Sequence, residues 1–278
     1  MESLEIAVGG WTFTTDLAGP ESGAPVLMLH GFPETRHMWR HAVGALGAAG
    51  FCAVAPDQRG YARGARPAAV EAYATEKLTG DALGLMDALG HARFHLVGHD
   101  WGGQLAWLIA ASVPQRVRSL SVLSRPHPAA FVRAMAEDTQ QAARSGHHRA
   151  FREADAVTRM RAANLKPLRE ALARQGVPAA DVAVYGDALM ENGAIEGAMN
   201  WYRATGFTAS DVPKVVVPTL YVWGTEDATV GRRAAELTAE YVKAPYRFEE
   251  IAGAGHFVVD QFPEQVNALL LSHIRSAR

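Results

Sequence analysis

Apolar and polar positions alternate at the start of the chain. Leu4, Ile6 and Val8 are followed by Trp11 and Phe13, with Gly9-Gly10 between the two sets. A period of two broken by a glycine pair predicts a two-stranded hairpin. The pattern then changes. A turn-rich stretch at 19–25 leads into Val26-Leu27-Met28-Leu29, short apolar runs recur at 51–55, 94–97, 120–123 and 218–223, and a further strand is read at 246–251. Runs this short and this continuous predict strands buried on both faces, as in a parallel sheet. Between them lie segments of helical spacing at 35–49, 73–89 and 104–113, then near 231–242 and at 263–274. In the second of these, Leu78, Ala82, Leu85, Met86 and Leu89 fall on one face.

The strand-helix alternation stops at about residue 128. From there to 211 the pattern is helical throughout, interrupted at Gly146, Pro167, Gly176-Val177-Pro178 and Gly193. This predicts an α/β core with a doubly wound sheet, formed by 1–127 and 212–278, carrying an all-helical insertion at 128–211.

Chemistry enters after the third buried run. Gly98-His99-Asp100-Trp101-Gly102-Gly103 precedes a helix and has the form Gly-x-nucleophile-x-Gly. Such an elbow is a tight strand-to-helix turn that needs small residues two positions either side of the nucleophile. The central residue is held in a strained conformation with its side chain at the sheet edge. Here it is Asp rather than Ser. A carboxylate is already ionised at neutral pH, so it can attack an sp3 carbon directly and form an alkyl ester. A base is needed only afterwards, to activate water against that ester. Candidates follow in the order nucleophile, acid, histidine. Asp227, in Trp223-Gly224-Thr225-Glu226-Asp227, is preferred to Glu226 as the orienting acid. His256, in a glycine-flanked loop at 252–257, is the base. The loop His30-Gly31-Phe32-Pro33-Glu34 follows the first buried run. The backbone N–H groups of Phe32 and Trp101 are the expected oxyanion donors, because ester hydrolysis builds charge on the Asp100 carbonyl oxygen.

His-Gly-Phe-Pro-Glu at 30–34 together with Gly-His-Asp-Trp-Gly-Gly at 98–103 resembles the epoxide hydrolase branch of the α/β-hydrolase family, over essentially the whole chain. The resemblance implies the α/β-hydrolase fold, a mostly parallel doubly wound sheet with an inserted helical cap acting as a lid. It also implies a cis bond before Pro33, a cofactor-independent reaction, and hydrolysis of an epoxide to a vicinal diol. Two cap tyrosines donate to the epoxide oxygen in this branch. Asn200-Trp201-Tyr202-Arg203 resembles the segment bearing one, so Tyr202 is the candidate. Early in the cap, Arg144-Ser145-Gly146-His147-His148-Arg149 contains no tyrosine. His147 stands where the second would fall, with His148 as the alternative, and a histidine can also donate. Tyr185 is a further candidate in the cap. Glu34 is expected either to hold the hydrolytic water or to cap a helix. Trp101, beside the nucleophile, is expected to line the pocket.

Two other readings use the same residues. Haloalkane dehalogenases share the Asp nucleophile and the Trp after it, but many take a second halide donor from an Asn after His-Gly. Phe32 has no side-chain donor there. Fluoroacetate-type dehalogenases place Arg directly after the Asp, where this chain has Trp101. A non-catalytic small-molecule binder would be supported by a degraded triad, and this one is intact. His37 and His41 have metal-ligand spacing but no third partner in the pattern, so they read as an ordinary pair.

Composition narrows the partners. With 27 basic and 29 acidic residues among 278, the formal net charge is −2, so no basic face for nucleic acid is expected. It suits a small apolar epoxide. The 49% hydrophobic content excludes disorder as the dominant state. Cys52 is the single cysteine, in an apolar run, and is expected to be a buried strand thiol. No signal peptide and no spanning segment are read, so a cytoplasmic monomer or homodimer is expected.

Overall fold

The computed structural model describes residues 1–204 and 211–277. The end of the predicted insertion, at 205–210, lies outside the described residues. Eight strands form one sheet: β1 (Glu2–Val8), β2 (Trp11–Ala18), β3 (Pro25–Leu29), β4 (Cys52–Pro56), β5 (Phe94–His99), β6 (Val117–Leu123), β7 (Thr219–Gly224) and β8 (Tyr246–Ile251). Their order is β1-β2-β4-β3-β5-β6-β7-β8. The hairpin β1–β2 turns at Gly9-Gly10, both with positive φ, and pairs Val8 with Trp11. β2 runs antiparallel to β4, and every pair from β4 onward is parallel.

β3, β4 and β5 are buried at every position, which is why their sequences show no alternation. Cys52 is among these buried residues. β3 has β4 on one side and β5 on the other, so the direction of winding reverses at β3. Leu29 lies opposite Gly98, and the loops leaving these two strands meet at the crevice where such sheets bind ligands.

Helices α1 (Arg40–Ala48), α2 (Thr75–Ala88) and α3 (Asp100–Ser112) belong to the first part of the core. α3 starts at Asp100, earlier than the expected residue 104. Gly102-Gly103 reads as loop in isolation, but helix there lets the backbone pack closely: a Cβ on Gly102 would come within 2.2 Å of the Leu29 carbonyl oxygen. Between β6 and β7 the described residues form α4 (Pro128–Glu137), α5 (Thr139–Arg144), α6 (His147–Arg152), α7 (Ala156–Ala162), α8 (Lys166–Arg174), α9 (Ala179–Met190) and α10 (Ala194–Ala204). Pro167 sits in the first turn of α8 rather than between helices, where its missing N–H costs nothing. After β7 come α11 (Arg232–Leu237), α12 (Val258–Gln261) and α13 (Pro263–Ser276). α12 is too short to give a periodic signal. Among the described residues no helix is long and apolar enough to cross a membrane.

Three buried imidazoles are held neutral. Burial pushes His95 and His127 down to about 4 and His148 down to about 2. His95 is 2.8 Å from the Ser119 hydroxyl, and His127 Nδ1 accepts from the Ala129 N–H at the start of α4. In the unfolded chain such groups take up a proton near pH 6.5. Below that pH the unfolded state binds more protons than the fold, so stability present above pH 6.5 is lost as the pH falls. Asp260, raised to about 7 chiefly by burial and then by Glu34, opposes one of the three. Urea-unfolding midpoints should therefore drop between pH 6.5 and 4.5. His127→Asn, which keeps a capping acceptor that does not titrate, should lessen the drop by up to about 1.4 kcal/mol per pH unit. Parallel curves for the two proteins would exclude His127 as a contributor.

Candidate active site

Asp100 is the first residue of α3, directly after β5, with φ 46°. This left-handed conformation is uncommon for a residue with a side chain, and the surrounding packing must hold it. The carboxylate is buried and has two partners. Phe32 N–H donates to Oδ1 at 3.0 Å, and His256 Nε2 lies 3.4 Å from Oδ2. Phe32 reaches it because Gly31 has no side chain: a Cβ there would lie 2.5 Å from the Asp100 Cβ. The Phe32–Pro33 peptide is cis.

His256 and Asp227 come from the loops after β8 and β7. His256 Nδ1 is 3.0 Å from Asp227 Oδ2, and Asp227 Oδ1 accepts from the N–H groups of Thr229 and Val230 at 2.7 and 2.9 Å. Both ring nitrogens of His256 thus face carboxylates. Burial opposes a charge here, but Asp227 and Asp100 together push the imidazole up to about 10. Burial likewise opposes the charge on Asp100, yet His256, His99 and Arg125 hold its carboxyl well below the usual carboxylate range. In the resting site an imidazolium lies between two carboxylates.

A second buried imidazole lies beneath the elbow. His99 Nε2 donates to the His256 carbonyl oxygen at 2.8 Å, while Nδ1 lies 2.7 Å from Glu34 Oε2. Burial alone would lower this imidazole, but the Glu34 charge raises it above its usual value. Glu34 is fully buried and does not line the cavity, so its expected contact with substrate or water is corrected to support of the elbow. Nor does it cap a helix, since the Thr35 side chain accepts from the His37 N–H at that helix start.

The active-site loops and the inserted helices border a partly open cavity of about 260 Å³. Asp100, His256 and Tyr202 line it, with His147 and Arg144 and an apolar wall that includes Phe32, Phe151 and Leu172. Tyr202 is buried, and its ring meets those of Phe32 and Phe151 edge-on at 5.5 and 5.1 Å. Burial, with Asp100 adding to it, raises its phenol well above the ordinary value, so it is a neutral donor at pH 7.

Trp101 was expected in the cavity lining, and the structure corrects this. Its ring packs 4.9 Å edge-on against that of Tyr202. The guanidinium of Arg125 lies 5.7 Å from the centre of the Trp101 ring. Trp101 therefore backs Tyr202 instead of facing ligand. His148 packs against the rings of Trp101 and Tyr202 at 6.2 and 5.3 Å. Tyr185 is not recruited: its hydroxyl donates to Asp260, in a polar cluster where Arg40 bridges Asp260 and Asp181. His37 pairs with Asp181 at 2.8 Å. Among the described residues no group of three or more potential metal ligands occurs.

The sequence reading missed Arg125 and Arg144. Arg144 donates to the Asp227 carbonyl oxygen and borders the cavity. Nothing in its local pattern distinguishes it. Arg125 carries a signal in hindsight: it lies just past the carboxyl end of β6, the edge where ligand sites form.

The chain is similar to known proteins over most of its length. The alpha/beta hydrolase family matches residues 26–269. The chain is 32% identical to epoxide hydrolase 4 of Mus musculus, over 93% of this chain and 75% of that protein. It is 33% identical to epoxide hydrolase A of Mycobacterium tuberculosis, over 91% of each. Among solved structures, a variant epoxide hydrolase from Bacillus megaterium, complexed with its naphthyloxy-propanediol product, superposes with a TM-score of 0.89. That match has 27% identity and covers 98% of this chain and 100% of the other.

Proposed function

The chain belongs to the alpha/beta hydrolase family and to its epoxide hydrolase branch, and from that premise we propose that it opens an epoxide to a vicinal diol through an ester on Asp100. The observation that carries this reading is the ionised Asp100 carboxylate facing a mostly apolar cavity directly beside Tyr202. The inserted helices act as the lid.

Asp100 attacks an epoxide carbon, forming the C–O ester bond and breaking the ring C–O bond. Tyr202 donates its proton to the departing oxygen, since an alkoxide leaves poorly without an acid. The Trp101 ring, packed edge-on against the phenol, holds Tyr202 in place for that transfer. Esterification removes the Asp100 charge, one of the two that held the His256 proton. His256 can then release its proton, which restores Tyr202, and become a base. Neutral His256, oriented by Asp227, takes a proton from water, and the hydroxide attacks the Asp100 carbonyl carbon. The N–H groups of Phe32 and Trp101 stabilise the oxyanion. Collapse breaks the ester C–O bond, the departing oxygen takes the proton from His256 to complete the diol, and the acid left on Asp100 then passes its proton to His256. One water is consumed and the resting charges are restored.

A halide-releasing enzyme of this kind takes a second halide donor from the side chain after His-Gly, and Phe32 has none there, so the dehalogenase reading is not favoured. The test of the ester mechanism is a single turnover with excess enzyme in heavy-oxygen water. The first diol should contain ordinary oxygen, drawn from Asp100; heavy oxygen in that diol would sink the mechanism. Tyr202→Phe should slow ring opening by about 100-fold or more, the low end of general-acid contributions. Stopped-flow measurement of ester formation checks this, and an unchanged rate removes Tyr202 from the reaction.

A further inference from the structure

Resting on that reading, we infer that His147 determines substrate specificity as a hydrogen-bond acceptor, and that the site favours epoxides bearing a hydroxyl group. One contact sets the tautomer. His147 Nδ1 lies 3.2 Å from the Arg144 carbonyl oxygen. A carbonyl can only accept, so Nδ1 carries the proton. Burial lowers this imidazole below its ordinary value, with Asp100 only partly offsetting, so the ring is neutral at pH 7. A neutral imidazole has one proton, and it is already placed. Nε2 therefore presents a lone pair.

That lone pair is available to a ligand. The His147 side chain lines the cavity with Asp100, Tyr202 and His256. Among the described residues Nε2 has no hydrogen-bond partner. The ring is also fixed in place, at the first residue of α6, 4.1 Å from the His148 ring and 5.7 Å from that of Phe151. A second acid at this position would need a proton on Nε2. That requires either a cation in a buried site or loss of the Arg144 contact. Tyr202 is then the single acid, and His147 completes the polar side of the cavity with the opposite hydrogen-bonding sense. A substrate hydroxyl satisfies it, and an ether oxygen leaves two acceptors facing each other.

Two measurements test this. Imidazole nitrogen-15 spectra at pH 7.5 should show the resonance lost in His147→Phe as an Nδ1-protonated ring. Its Nε2 signal should shift on adding propane-1,2-diol but not the corresponding dimethyl ether. In kinetics, kcat/KM for glycidol should exceed that for glycidyl methyl ether by about 3- to 10-fold, the range of one net hydrogen bond. His147→Phe should erase the preference through KM, and His147→Gln should retain part of it. An Nε2-protonated ring would overturn the inference. So would a variant that slows both substrates equally through kcat, which is the signature of a second acid. If the wild-type protein hydrolyses neither compound, the proposed activity fails, and the tautomer and diol titration still decide the role of His147.

Discussion

Replacing His256 by Gln should let the ester form and then persist. Intact-protein mass spectra after mixing with an epoxide should show one added substrate mass, and steady-state diol release should fall by about 10²- to 10⁴-fold. The amide of His256→Gln cannot take a proton from water, but the Phe32 N–H still holds Asp100 at 3.0 Å, so the nucleophile stays in position. The substitution also removes an imidazolium from beside Asp100, which raises the carboxyl towards its ordinary value without neutralising it near pH 7. Ester formation should therefore be only modestly slower. Absence of an adduct, with turnover abolished, would argue that His256 acts before the ester and not on it.

Asp227→Asn is expected to cost about as much, by a different route. Asp227 Oδ1 receives the N–H groups of Thr229 and Val230, which an amide oxygen can still satisfy. That orientation leaves the amide NH₂ where Oδ2 now faces His256 Nδ1 at 3.0 Å. A donor there forces Nδ1 to be unprotonated and puts the remaining proton on Nε2, the nitrogen that must accept from water. In a serine protease with this geometry the same change costs about 10⁴-fold. Ester hydrolysis should slow by a comparable factor. The acid side of its pH profile should also move: with Asp100 esterified, Asp227 is the remaining charge that favours the imidazolium, so losing it keeps His256 neutral down to a lower pH. A rate within a few-fold of wild type would show that Asp227 is not the orienting acid and would return Glu226 to consideration.

The polar cluster of Tyr185, Asp260, Arg40 and Asp181 shows why some candidates could not be sorted from pattern alone. Val182, Tyr185 and Leu189 follow helical spacing, and they do face inward on α9. The pattern carries no information about the partner that awaits them, and here it is a buried carboxylate from α12, 75 positions further on. Trp101 and Glu34 illustrate the same limit. Each lies within two residues of a reacting group or its donor in sequence. Each points away from the cavity, because the space beside Asp100 is taken by Phe32 and His256.

By itself the sequence determined what depends on local geometry. Gly9-Gly10 set the hairpin, unbroken apolar runs set the buried strands, and the glycines around Asp100 set the elbow, because steric rules act within a few residues. The order Asp100, Asp227, His256 could also be read, since each follows a strand-like run. Tertiary structure alone decided which side chains share the cavity, that His147 Nδ1 meets the Arg144 carbonyl, and that His99 and Glu34 come together beneath the nucleophile. Those outcomes depend on distances between segments remote in the chain and on the loss of water around them, and neither is encoded in the spacing of neighbouring residues.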